Sequence, residues 1–210
     1  MDCVAITDHN KISGALDIKP WLESRGISVI VGEEVFSSKG EIIGLWLTNE
    51  IAPGLSPEDT VAEIKRQGGA VYIPHPYDEK RFRTVLDRDE LLRVACDVDC
   101  VEVHNGRNID QRFDEEQEVA YEQVARINPD AKRVIGCDAH CFFEIGRNVV
   151  ITDSPISRGS FPTCLGSAVF ESSAFLPLAH RTTKLVRLIK MVKGGDFRGI
   201  ARVLARKLSR

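Results

Sequence analysis

The chain has 210 residues, 43% hydrophobic and 28% charged, enough for one sizeable core, and this excludes a disordered or low-complexity protein. No stretch approaches the roughly 18 uncharged apolar residues of a membrane helix, and the start Met1-Asp2-Cys3 lacks a basic leader. A soluble, cytoplasmic protein is expected.

The net charge of −3 hides an asymmetry, because residues 178–210 carry ten Lys or Arg against one acid, Asp196. That tail is +9 and the first 177 residues are −12. An acidic body suits a site that holds cations, and only the tail suits nucleic acid. The six cysteines are expected to stay reduced, since the Cys-x-x-x-Cys spacings at Cys96/Cys100 and Cys137/Cys141 are not those of a zinc ribbon.

Short apolar, β-branched runs over residues 3–7, 28–31, 42–47, 70–73, 100–103, 133–135 and 148–151 predict strands. Helical stretches over 12–23, 57–67, 88–95 and 109–127 lie between several of them, the second opened by Ser56 as cap and Pro57 as first helical residue. This alternation predicts βα units with parallel strands. Residues 34–36 and 41–47, joined by Ser37-Ser38-Lys39-Gly40, read instead as a hairpin. Beyond residue 154 the chain changes character, and 181–207 predicts basic amphipathic helices whose stripe of Leu185, Leu188, Ile189 and Val192 packs on the body.

Loops at the C-terminal ends of βα strands converge on one point, so chemistry is sought there. The predicted strands end in Asp8-His9, Gly32-Glu33-Glu34, Pro74-His75-Pro76, His104-Asn105 and Cys137-Asp138-Ala139-His140. Four of the five histidines fall at these ends, His180 being the exception. Imidazole and carboxylate are the donors that Zn²⁺, Mn²⁺ and Fe²⁺ accept, so the constellation points to a metal site although each residue alone has an ordinary structural reading.

The motifs Ile6-Thr7-Asp8-His9-Asn10, Gly32-Glu33-Glu34-Val35, His75-Pro76, Glu102-Val103-His104-Asn105 and Asp138-Ala139-His140, in this order, resemble the PHP (polymerase and histidinol phosphatase) family of metal-dependent phosphoesterases. The resemblance runs from residue 1 to about residue 150. It implies a distorted seven-stranded βα, TIM-like barrel whose rim holds two or three Zn, Mn or Fe ions. By this resemblance His9, Glu34, His75, His104, Asp138 and His140 are the metal ligands, with Glu34 bridging, while Arg107 and Arg147 contact phosphate.

The family's first strand, with its His-x-His pair, and first helix do not precede the Thr-Asp-His strand here. An upstream in-frame segment of roughly 25–40 residues, the length of a βα unit, is therefore expected to encode them. The expected organisation is a PHP-type domain over 1–154 and a helical extension over 155–210. The expected activity is hydrolysis of a phosphomonoester or nucleotide phosphodiester by a metal-activated hydroxide. Its expected partners are a phosphorylated small molecule or nucleotide, and nucleic acid through the basic tail. Two alternatives stand beside it: a catalytically impaired PHP fragment with a structural or partner-binding role, and a metal-dependent amidohydrolase.

Overall fold

The computed structural model describes residues 1–81, 84–108, 110–173 and 182. The elements run β1 (Cys3–His9), α1 (Ser13–Glu23), β2 (Ser28–Ser37), β3 (Gly40–Leu45), α2 (Pro57–Arg66), β4 (Ala70–Ile73), α3 (Arg88–Val94), β5 (Cys100–Asn105), α4 (Arg112–Ile127), β6 (Lys132–Gly136), β7 (Val149–Ile151), α5 (Phe161–Gly166) and β8 (Val169–Glu171). All seven predicted strands form, as do the four predicted helices; α5 and β8 were not foreseen. The basic helices expected over 181–207 lie outside the described residues, Thr182 apart.

The expected seven-stranded TIM-like barrel is not what forms. Strands β1 to β6 make one curled, mixed sheet in sequence order, half a barrel, and β7 pairs with β8 in a separate two-stranded sheet. Two local causes account for this. The turn after Ser37 is too short for a crossover, so β3 returns antiparallel to both β2 and β4. Val149–Ile151 takes its hydrogen bonds from Val169–Glu171, not from β6. The pairs β1–β2, β4–β5 and β5–β6 are parallel as expected. Gly40 closes the turn at φ +135°, where a Cβ would come within 2.3 Å of the Leu86 backbone.

Period-two alternation divides the sheet into two apolar layers. Val31, Val35, Ile42, Val71, Ile73 and Val101 face the helices and pack with Ile64 of α2, Leu91 of α3 and Val124 of α4. Ile30, Ile43, Ala70, Tyr72 and Cys100 face the other way and meet Phe161 and Leu165 of α5. Ile64 is fully buried. Ile64→Ala is therefore expected to lower unfolding free energy by about 2–5 kcal/mol in urea denaturation. A loss under about 1 kcal/mol would show that this layer is not tightly packed.

All six cysteines are free, as expected. Among the described residues no helix is long and apolar enough to cross a membrane.

Candidate metal centre

The register of the first three strands builds the centre. Parallel pairing sets His9 beside Glu34, and the hairpin sets Glu41 opposite Phe36, one step along the same face from Glu34. Because β3 runs backwards, Glu41 reaches the rim from the start of its strand while His9 and Glu34 reach it from near the ends of theirs. His75 arrives two residues after β4 in left-handed backbone, φ +33°, and Asp138 beyond β6 is likewise left-handed at φ +47°. Such backbone in non-glycine residues costs about 1–3 kcal/mol and concentrates at functional sites.

The two carboxylates each reach the two histidines. Glu34 Oε2 lies 3.3 Å from His9 Nδ1, and Glu34 Oε1 lies 3.2 Å from His75 Nε2. Glu41 Oε1 lies 3.3 Å from His9 Nδ1, and Glu41 Oε2 lies 3.3 Å from His75 Nε2. His75 and Glu41 are buried, and Phe36 stacks on the His9 ring at 5.1 Å. Burial disfavours a charged His75, but the hydrogen bonds that its ring donates to Glu34 and Glu41 outweigh it and push its pKa up to about 10.

Glu102 fixes the approach of His75. Its buried carboxylate accepts hydrogen bonds from the His75 amide, the Tyr72 hydroxyl at 2.7 Å and Asn105 Nδ2 at 3.0 Å. Burial raises its pKa, with His75, Asn105 and Tyr72 acting in the opposite direction. Gly136 leaves room for this carboxylate, since a Cβ there would stand 2.1 Å from Glu102 Oε1. Glu102→Ala strips partners from three groups and is expected to cost about 1–3 kcal/mol for each one left buried without water. Thermal unfolding measures this, and an unchanged midpoint would contradict it.

The remaining predicted ligands lie in two further groups. His104 Nδ1 is 2.9 Å from Asp114 Oδ1, while its Nε2 is buried with no hydrogen-bond partner. Asp138 and His140 face each other, His140 Nδ1 lying 3.3 Å from Asp138 Oδ1, and Asp138 Oδ2 takes Arg81 at 2.7 Å. Burial would raise the Asp138 pKa, but the Arg81 charge holds it below the ordinary carboxylate range.

His9, Glu34 and Glu41 line an open cleft of about 370 Å³ that also meets Asp138, His140, Arg81 and Arg107. Arg107 is buried, with Nη1 3.3 Å from Glu144 Oε1. Arg147 is not among the residues lining the cleft. Lys80 and Phe113 line it as well, with Lys80 Nζ 4.6 Å from the ring centre.

Sequence reasoning missed Glu41, Glu102 and Arg81. Glu41 was legible in principle, because the hairpin it begins sets it across the turn from Glu34. Glu33, the other half of the acidic pair, points to the opposite face and accepts the Ile51 amide at 2.9 Å.

The donor set fits a divalent ion. His9, Glu34 and Glu41 offer donor atoms within 4.8 Å of one another, and Glu41 Oε1 is buried without an aligned hydrogen bond. His104, held at Nδ1 by a carboxylate with Nε2 unpartnered, has the arrangement of a metal-ligating imidazole.

The molecule is thus an α/β half-barrel with a carboxylate–histidine cluster on its rim. The same fold occurs in PsfC from Pseudomonas syringae PB-5123, with TM-score 0.62 over 91% of this chain and 85% of that one, at 18% identity. A two-domain protein from Bacteroides vulgatus containing a predicted PHP-like metal-dependent phosphoesterase overlaps 51% of this chain and 37% of its own. Its TM-score of 0.41 and 19% identity are too slight a likeness to bear on function. No protein-family model matches the chain.

Among curated sequences, an uncharacterized protein of Methanocaldococcus jannaschii is 43% identical over 110 residues, covering 52% of this chain and 61% of the relative. A second uncharacterized protein of that organism is 35% identical over 147 residues, covering 68% of this chain and 54% of the relative. The chain therefore spans just over half the length of these relatives.

Proposed function

We propose that this chain carries the hydrolytic site of a metal-dependent phosphoesterase. Its main support is the sharing of two carboxylates by two histidines: Glu34 and Glu41 each lie 3.2–3.3 Å from both His9 and His75. The order of the strand-end motifs, which resembles that of PHP phosphoesterases, agrees with this reading. His9, Glu34, Glu41 and His75 would hold the ion, and His104 is a further donor on the same rim.

When bound, the metal supplies Lewis-acid polarisation of the phosphoryl group and lowers the pKa of water to about 7. The chain's own residues do the rest. Glu102 sets the His75 backbone, Phe36 orients the His9 ring, and Asp114 presents His104 Nε2. Lys80, Arg81 and Arg107 line the cleft, Arg81 and Arg107 each paired with a carboxylate, and cationic donors of this kind complement phosphoryl oxygens and not a neutral amide. That charge favours an ester of phosphate over a cyclic amide substrate.

The test is elemental analysis of protein purified without chelator, followed by assay of p-nitrophenyl phosphate, bis(p-nitrophenyl) phosphate and a cyclic amide with Mn²⁺, Zn²⁺ or Fe²⁺. Phosphoester turnover that EDTA abolishes is the expected result. Protein that takes up no transition metal overturns the proposal, and turnover of the amide alone would assign an amidohydrolase.

A further inference from the structure

Arg81 belongs to no motif that suggested the site, yet it stands within it. It closes the 3₁₀ turn Glu79–Arg81 after β4, and its side chain is only 23% exposed. The guanidinium donates from Nε to Asp78 Oδ2 at 3.1 Å, and from Nη2 to Asp138 Oδ2 at 2.7 Å and Asn105 Oδ1 at 3.3 Å. Its backbone is held too: the Arg81 carbonyl accepts the Thr84 amide at 2.7 Å, and the Thr84 carbonyl accepts the Glu41 amide at 2.7 Å. The cation is thus tied to the metal cluster from one side and to Asp138 from the other.

We propose that Arg81 is a resident cation that keeps Asp138 from serving as a metal ligand, so that the chain takes up its divalent ion at His9, Glu34, Glu41 and His75. The inference rests on the reading that this cluster binds metal. A guanidinium does not deprotonate in proteins, so its charge is permanent. An ion entering between Asp138 and His140 would break a partly buried, charge-assisted hydrogen bond and meet a like charge. Arg81 is a positioning residue in this account: it holds Asp138 and selects where metal binds.

The experiment is Mn²⁺ titration of the full chain by calorimetry, with elemental analysis after gel filtration. Wild type is expected to bind one ion per chain. Asp138→Asn should leave that stoichiometry, and the affinity within about threefold, unchanged, whereas loss of a true ligand would exceed the roughly tenfold cost of even an outer-sphere change. Arg81→Gln removes the charge and should admit a second ion, which Asp138→Asn in the same chain should expel again. Arg81→Lys retains the charge and should bind one ion.

An Asp138→Asn protein with affinity reduced about tenfold or more overturns the assignment, and so does a folded Arg81→Gln protein with no added ion. If circular dichroism shows Arg81→Gln unfolded, the Asp138→Asn titration decides alone. Wild type that binds no Mn²⁺ defeats the proposed function separately. In that event the Arg81 assignment stands only if Arg81→Gln gains an ion that Asp138→Asn removes.

Discussion

Glu34→Gln is expected to reduce divalent-metal affinity by about 100-fold or more, since losing a direct donor should exceed the 10–100-fold cost of outer-sphere changes. His9 and His75 both lie within 3.3 Å of Glu34, one on each of its oxygens, as they do of Glu41. The amide keeps the shape but loses the negative charge and one acceptor. Phosphoester turnover should fall with metal occupancy and recover in part at high Mn²⁺. Calorimetry on wild type and variant checks this, and affinities within about fivefold of each other would remove Glu34 from the ligand set.

Metal uptake is expected to grow steeply with pH. In the metal-free protein His75 carries a proton up to about pH 10, because Glu34 and Glu41 favour its charged form by more than burial opposes it. Since the folded value lies above the ordinary 6.5, this interaction stabilises the metal-free fold fully below about pH 6.5 and is lost as pH rises through about 10. A metal ion must displace that proton, so apparent affinity should rise about tenfold per pH unit across this window. Glu41→Gln weakens the hold on the proton and should flatten the slope. Mn²⁺ titrations at several pH values measure it, and an affinity independent of pH would exclude His75 as a ligand.

How far the sequence could be read depended on the range of the interaction concerned. Strand positions were legible because each run of branched apolar residues had one face for each apolar layer, and the β2–β3 hairpin was legible from Ser37-Ser38-Lys39-Gly40. Barrel closure was not, because it depends on which distant strand supplies partners to β6 and β7, and periodicity carries no such information. His9, Glu34 and His75 stand near or just beyond the ends of forward-running strands, where the sequence directs attention, and the fold brings them together. Glu41 escaped because its strand runs in reverse. Arg81 escaped for a different reason: arginine is no metal donor, and its relation to Asp138 spans 57 residues that only the fold brings together.

The reversed third strand also gives the proposed ligand set two different sequence ranges. Glu34 and Glu41 are joined by a single tight hairpin, so little chain entropy is spent in bringing the acids together. His9 and His75 come from opposite sides of that hairpin, one through the β1–β2 pairing and the other after β4. An opening that frees either flank would remove an imidazole and leave the acid pair intact. Under the proposed function, an ion held there would then be left with a weaker, oxygen-rich donor set, and oxygen donors hold Mn²⁺ relatively better than Zn²⁺.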